Sequence, residues 1–282
     1  MFRKPIVFLS DFGLHDPYVG IVKGVIHAIN PSATIIDLTH AIEPQNIKHG
    51  AFILNFSYMD FPRGAIFLSV IDPGVGGQRA GLILECSQGY FVGPDNGLFG
   101  PIIKDNQDAI CFKIDPSLVK KEAEKIGYLP RSSHTFHARD IFAPVAALLN
   151  LDIKPDSLGS VHEDPVLFSF PVAEIKNNAI NGQVIYIDHF GNAITNIPYN
   201  LLIKLGCPLE ALRLSIKPGI YIPFAKTYSF VGKQQPLFLP NSFGLIEIAL
   251  NCGSAEKHLN LNIDTKVTLV CMKKDRGRDR PL

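Results

Sequence analysis

Residues 65–82 run AIFLSVIDPGVGGQRAGL. Residues 65–71 form an apolar run of strand length and read as a buried strand. The run ends on Asp72-Pro73, then Gly74, Gly76 and Gly77, then a lone Arg79. Upstream, residues 6–10 (IVFLS) and 34–38 (TIIDL) are strand-like, and residues 47–56 suit a helix. Val19, Val22, Ile26 and Ile29 fall at i, i+3, i+7 and i+10, one face of a helix. This β-α-β-α-β order predicts a mostly parallel sheet covered by helices on both faces, an α/β sandwich domain. Ligands of such sheets bind beyond the carboxyl ends of the strands. Asp11 follows the first strand and Asp72 the third, so both carboxylates are placed to face one crevice. His137 and Arg139 precede an apolar helical pattern over residues 141–149.

Further along, the pattern changes. Residues 184–187, 193–197, 212–216, 220–224, 236–239, 245–250 and 266–270 are short β-rich runs separated by turn residues. Their spacing predicts a small C-terminal antiparallel β domain, a sandwich or a barrel. The join falls in residues 159–170, where GSVHEDPVLF is polar and marked by a proline. The expected division is an N-terminal α/β domain over residues 1–165 and a β domain over residues 172–275.

Composition narrows the class. The chain has 282 residues, 46% hydrophobic and 19% charged, enough for a sizeable core. A formal net charge of +1 with no long basic run gives no electrostatic footprint for nucleic acid. The charge cluster at residues 273–280 (KKDRGRDR) reads as a solvated tail. Cys86, Cys111, Cys207, Cys252 and Cys271 are odd in number and form no C-x-x-C, which favours buried thiols in a reducing compartment over a disulfide frame or zinc ribbon. The N-terminus turns polar too soon for a signal peptide, and no apolar run approaches membrane-spanning length. The expectation is a cytoplasmic protein without membrane association.

The loop at 72–79 lacks the Lys-Ser/Thr of a phosphate-binding P-loop. A dinucleotide G-x-G-x-x-G starts at Gly74 and Gly76 but meets Arg79 at its last position, and it follows the third strand rather than the first. A plain turn, with Asp capping and Gly bending, stays open beside a catalytic reading. His134, His137 and Asp140 have no fourth ligand at an accepted zinc spacing, so no metal is expected. Ser10-Asp11-Phe12-Gly13 has no kinase loop around it. Asp188-His189-Phe190-Gly191-Asn192 is explained in part by an Asx turn, which leaves the aromatic unexplained. An aromatic beside an amide suits a flat heterocycle, one stacking and the other hydrogen-bonding. Asn241-Ser242-Phe243-Gly244 by itself reads as a turn.

Taken in order, SDFG, DPGVG with its following Arg, TFHARD, DHFGNAITN and NSFGLIEIALN resemble the S-adenosylmethionine hydrolases, or SAM hydroxide adenosyltransferases, relatives of the fluorinases and chlorinases. The resemblance spans about residues 5–270. It implies an α/β domain followed by a barrel-like β domain, in a homotrimer whose sites lie between the first domain of one subunit and the second of its neighbour. It implies hydrolysis of S-adenosyl-L-methionine (SAM) at ribose C5′ to adenosine and L-methionine. SAM is then a substrate, and no cofactor is expected. By motif position Asp72, Arg79 and His137 are the implied catalytic triad. Asp11 maps to the ribose diol, Asp16 to the methionine amine, and Asp188, Phe190 and Asn192 to adenine and ribose. Tyr228 maps to adenine stacking, Ser242 to methionine, and the Cys252 backbone to the adenine edge. Fluorinases carry Tyr where this chain has Asp72 and a halide-binding Ser where it has Ala138. Both differences disfavour the alternative of halide-dependent adenosyl transfer. Phe243 stands where fluorinases place an Arg, which removes side-chain help for the methionine carboxylate. A binding protein for SAM or adenosine that turns nothing over is the alternative from another class.

Overall fold

The computed structural model describes residues 4–217, 219–275 and 278–281, with side chains through residue 272. The chain divides into two compact units, Met1–Ser169 and Phe170–Leu282. Among the described residues, no helix is long and apolar enough to cross a membrane.

The first unit runs β1 (Ile6–Ser10), α1 (Tyr18–Ile29), β2 (Ile35–Thr39), α2 (Ile47–Asn55), β3 (Ala65–Val70), β4 (Gly81–Cys86), β5 (Gly89–Pro94), α3 (Gly100–Asp105), β6 (Ile110–Ile114), α4 (Pro116–Lys125), α5 (Ala143–Asn150) and β7 (Gly159–Val161). Its sheet has the order β2-β1-β3-β5-β4-β6-β7. The β1–β2, β1–β3 and β3–β5 ladders are parallel, whereas β4 is antiparallel to both β5 and β6. Strands β2, β1, β3, β5 and β6 therefore share one direction, and the sheet is mostly parallel. Every residue of β1 and β3 is buried, as two-sided cover demands. Alternate side chains serve the two faces. Ile6, Phe8, Ile66 and Leu68 pack with α1 and α5 through Val22, Ile26, Ala146 and Leu149. Phe67 stacks on Phe91 at 4.6 Å, edge-on to Tyr58 at 6.4 Å.

Helix α1 buries the four residues that the periodicity marks, Val19, Val22, Ile26 and Ile29. The expected strand at 34–38 is β2, an edge strand with two of its five residues exposed. Beyond β3 the chain does not cross over through a helix. It jumps past β5 and returns as antiparallel β4, so residues 71–80 span the carboxyl end of β5. That excursion positions the candidate site.

The second unit comprises β8 (Glu174–Lys176), β9 (Ala179–Ile187), β10 (Ala193–Pro198), α6 (Asn200–Ile203), β11 (Leu212–Lys217), β12 (Ile220–Pro223), β13 (Pro236–Pro240), β14 (Leu245–Leu250), α7 (Ala255–Leu259), β15 (Lys266–Asp275) and β16 (Arg278–Pro281). The strand order is β12-β11-β15-β9-β10-β14-β13, every ladder antiparallel. A bridge between Phe224, just past β12, and Phe238 in β13 brings the two ends of the sheet together, giving a nearly closed barrel. Ile180, Val184, Ile197, Leu214, Ile246 and Ile248 lie in its core.

One expectation fails here. Cys207 and Cys271 form a disulfide, with Cα atoms 6.0 Å apart. The β11–β15 register pairs Leu212 with Cys271 and so draws in the segment preceding β11, a contact between residues 64 apart in sequence. Cys86 and Cys111 are buried thiols, but Cys252 is exposed. The cysteines therefore do not argue for a reducing compartment. Of the segment 273–280, residues 273–275 end β15 and residues 278–280 belong to β16, which pairs with it. The expectation of a solvated tail concerns side chains that lie outside the described residues.

Candidate active site

The 71–80 loop is tied down at both ends by the chain that follows β5. Asn96 Nδ2 donates to the Ile71 carbonyl at 2.8 Å, and the Asp95 N–H donates to the Ala80 carbonyl at 3.0 Å. Between these anchors Asp72 and Arg79 face each other. Arg79 Nε donates to Asp72 Oδ1 at 2.8 Å, and Arg79 Nη2 donates to Oδ2. Arg79 Nη2 also meets His137 Nδ1 at 2.8 Å, and Nη1 donates to the Ala80 carbonyl at 3.2 Å. The guanidinium sits 5.2 Å from the Phe142 ring centroid. Only 7% of the Asp72 side chain and 13% of Arg79 remain exposed. Such an ion pair loses much of its Coulomb gain to desolvation, so it is weak evidence of a purely stabilising role.

His137 enters from the chain before α5. It precedes a π-helical turn, Ala138–Phe142, a wide turn frequent at functional sites. Gly76 explains how the two segments meet. Its φ is +77°, and a Cβ placed there would lie 2.3 Å from the His134 carbonyl oxygen. The glycine lets the loop close against residue 134, three residues before His137.

Because a guanidinium only donates, Nδ1 of His137 is the acceptor and its neutral ring carries hydrogen on Nε2. Burial lowers the His137 pKa, and the Arg79 charge lowers it further, against the opposing pull of Asp72. The ring is thus neutral at pH 7, with Nε2–H as its donor. Asp140, which shares the motif, is engaged elsewhere. It accepts from Arg139 Nε at 2.6 Å and from Ser133 Oγ at 2.7 Å. Burial raises its pKa, but these donors outweigh burial and the net shift is downward. His134, His137 and Asp140 therefore do not converge, and the described residues hold no metal-binding group of three or more His, Cys, Asp or Glu.

Asp11 lies one residue beyond β1, and β1 pairs in register with β3, Ser10 opposite Val70. Asp11 and Asp72 are accordingly at the same end of the sheet. Asp11 Oδ2 accepts from the Gln45 N–H at 2.8 Å. The Asp11 loop is latched again by Ser10 Oγ, 2.8 Å from His40 Nδ1, and by the Gly13 N–H on the His40 carbonyl at 2.8 Å. Asp16 is exposed, just ahead of α1.

In the second unit a cleft of about 520 Å³ is lined by Phe190, Asn192, Tyr228, Leu250, Cys252 and Gly253. Four expected residues line it: Phe190, Asn192, Tyr228 and Cys252. Asp188 stands behind the loop. Its Oδ1 accepts from the N–H groups of Phe190 and Asn192, both at 2.9 Å, and its Oδ2 accepts from Asn192 Nδ2 at 3.0 Å. Gly191 has φ +80°, and a Cβ there would lie 2.1 Å from Ser254 Oγ, so only glycine lets this loop pack on the start of α7. Phe190 is left 75% exposed. The Cys252 carbonyl accepts from Gln234 Nε2 at 2.7 Å. Ser242 is exposed in a turn closed by Asn241 Oδ1, which accepts from the N–H groups of Phe243 and Leu245, and it does not line the cleft.

Residues 6–159 match the SAM hydroxide adenosyltransferase N-terminal domain, and residues 182–268 match the C-terminal domain. The chain belongs to the SAM hydroxide adenosyltransferase family. Among similar proteins of the family, a (R)-S-adenosyl-L-methionine hydrolase of Thermus thermophilus is 35% identical over 95% of this chain and 100% of its own length. A fluorinase of Nocardia brasiliensis is 25% identical over 94% of this chain and 96% of its own. The crystal structure of an uncharacterized conserved protein from Thermotoga maritima superposes with a TM-score of 0.86 at 34% identity, covering 94% of this chain and 99% of that one.

Sequence reading missed the supports of the site. Asn96 and Asp95 belong to a Pro-Asp-Asn-Gly turn after a strand, a visible signal whose partner, the 71–80 loop, is not. Gln45 acts through a backbone N–H and leaves no side-chain signal. Glu247, buried beneath Tyr228, looks like any polar residue in an alternating strand.

Proposed function

We propose that this chain hydrolyses SAM at ribose C5′, giving adenosine and L-methionine. The observation that carries the reading is the hydrogen-bonded Asp72–Arg79–His137 unit at the carboxyl end of a parallel sheet, in a family whose similar members include named SAM hydrolases. The water oxygen attacks C5′ as the C5′–S bond breaks. Its electron pair stays on sulfur, which leaves as the neutral thioether of methionine. One water proton ends up in solvent.

A sulfonium leaves readily without an acid. The difficulty is the nucleophile, because free water has a pKa near ~15.7. Arg79 supplies a fixed positive charge that favours hydroxide character. Asp72 holds the guanidinium in one orientation through two hydrogen bonds. His137 offers Nε2–H as a donor to position water. Accepting a proton would require Nδ1 to leave the guanidinium. Alignment of nucleophile and leaving group is worth about 7–11 kcal/mol in favourable cases.

Substrate contacts follow the same division. Asp11 is assigned to the ribose hydroxyls and Asp16 to the methionine amine. Asp188, Phe190 and Asn192 are assigned to adenine and ribose, with Asp188 also fixing the loop that carries the other two; Tyr228 and the Cys252 backbone are assigned to adenine, and Ser242 to methionine. The triad and the aromatic cleft belong to different units, and on the family resemblance we assign the active form to a homotrimer whose sites lie between the first domain of one subunit and the second of its neighbour. Light scattering that finds a fully active monomer would overturn the trimer.

The function is tested by chromatography of SAM incubated with the protein, with and without halide. Adenosine and methionine should appear in equal amounts without halide. A halogenated adenosine or unreacted, bound SAM would overturn the hydrolytic reading.

A further inference from the structure

Glu247 lies in the middle of β14 and is only 4% exposed. Its neighbours on β14, Ile246 and Ile248, point into the barrel core, so Glu247 occupies the other face of the strand. Across the ladders it pairs with Ile194 on β10 and Leu239 on β13, both apolar. A carboxylate in such a place is costly unless a hydrogen bond repays its desolvation. Its partner is Tyr228, whose hydroxyl donates to Glu247 Oε1 at 2.8 Å. Burial raises the Glu247 pKa; the Tyr228 hydroxyl pulls it back, the nearby Asp188 charge raises it again, and the Asn241 side chain lowers it. Tyr228 is 44% exposed, and its ring forms part of the cleft wall beside Phe190 and Asn192.

Tyr228 sits on a short 3-10 turn, Tyr228–Phe230, between β12 and β13, with no side-chain cap. Its hydroxyl is fastened instead to a buried group on β14, a strand paired on both sides.

We propose that Glu247 is a positioning residue for nucleoside recognition: it holds the Tyr228 ring as a preset wall of the adenine cleft. This rests on the assignment of that cleft to adenine. A preset wall spares the ordering cost that a mobile ring incurs on binding. Glu247 touches no nucleoside itself and acts only through the phenol oxygen. The pair also defines what is gained by tyrosine over phenylalanine, since the two rings stack equally well but only tyrosine can be fastened.

Adenosine affinity of the full chain, measured by calorimetry, tests this with a double-mutant cycle. Glu247→Leu and Tyr228→Phe should each weaken adenosine by up to about tenfold, the worth of one hydrogen bond. The double variant should be no weaker than either single one. Glu247→Gln retains an acceptor for the phenol and should recover most of the loss. A merely structural glutamate predicts a different pattern: lowered stability in Glu247→Leu, additive effects in the cycle, and no rescue specific to Gln. Additivity, or full affinity in Tyr228→Phe, overturns the proposal. Tyr228→Ala separates the two levels of inference. If it leaves adenosine binding unchanged, the adenine assignment falls and Glu247 falls with it. If it weakens binding while the cycle shows no coupling, only the role of Glu247 falls.

Discussion

Two loops, one in each unit, both begin with an aspartate after a strand and both need a glycine at positive φ. They spend their carboxylates differently. Asp72 gives both oxygens to a side chain, Arg79, whose charge then reaches His137. Asp188 gives both oxygens to its own loop, two backbone N–H groups and the Asn192 amide, and leaves Phe190 standing 75% exposed. The first loop buries charge and is suited to chemistry. The second turns its charge onto its own N–H groups and presents an aromatic surface, and is suited to binding.

The division is open to a direct break. Arg79→Ala should reduce turnover by about 10²–10³-fold, the usual cost of losing one preorganised charge donor. SAM affinity should change much less, because hydroxide-like charge develops mainly toward the transition state. Arg79→Lys should recover only part of the rate, since a point charge cannot reproduce the bonds to Asp72 and His137. Single-turnover rates beside equilibrium SAM binding give both quantities. A folded Arg79→Ala protein that hydrolyses SAM at the wild-type rate would leave the 72–79 loop a structural turn.

Much of this was legible in the chain itself. The buried faces of α1 and β3 follow from apolar periodicity, and Asp11 and Asp72 stand out as carboxylates at strand ends. What stayed hidden was long-range. The β3-β5-β4 strand order, and with it the anchoring of Ile71 and Ala80, depends on a strand swap that local pattern does not encode. The Cys207–Cys271 bond depends on the β11–β15 register in the same way. Gly76 and Gly191 were visible as glycines, but what each clears, the His134 carbonyl and Ser254 Oγ, is a tertiary fact. His137 was legible as a candidate, whereas the tautomer that limits its role required the Arg79 contact.

Asp11 sharpens the comparison because we assign it to binding although it lies in the unit to which we assign the chemistry. Asp11→Asn preserves shape but replaces one acceptor with a donor, so SAM and adenosine should both weaken by roughly tenfold. Turnover at saturating SAM should fall far less than in Arg79→Ala. Equal affinities for both ligands before and after the change would reduce Asp11 to its bond with Gln45. The second loop predicts a smaller effect on ligand and a larger one on stability. Asp188→Ala removes three hydrogen bonds at once, worth roughly 1–3 kcal/mol in an urea titration, with a several-fold loss of adenosine affinity. Asp188→Asn should be milder, since its oxygen still accepts from both backbone donors. If Asp188→Ala abolished turnover while binding stayed intact, the loop would belong to the chemistry after all.

The smallest expected effect concerns acid. In the first unit His40, His49 and His137 all have lowered pKa values, burial being the main cause in each. For a histidine whose folded pKa lies below its unfolded value of about 6.5, the unfolded chain binds more protons in the window between the two. Stability is then fully present above about pH 6.5 and is lost as pH falls through the folded pKa. Glu247 in the second unit has the opposite sign, its pKa being raised chiefly by burial. Its contribution is fully present below the unfolded glutamate value of about 4.3 and is lost as pH rises through the folded pKa. Between about pH 6.5 and 4.3, acid therefore weakens the first unit through its histidines while it relieves the buried carboxylate of the second. Hydrogen exchange on the full chain, corrected for intrinsic rates, reads the two separately. Amides of β1 and β3 should lose protection relative to those of β10 and β14 as pH is lowered from 7 to 5. Replacing Glu247 by Gln should remove the second unit's share of the difference and leave the first unit's slope in place. Equal loss of protection in both units would mean that the buried histidines do not set the acid response, and the electrostatic contrast between the units would not extend beyond their loops.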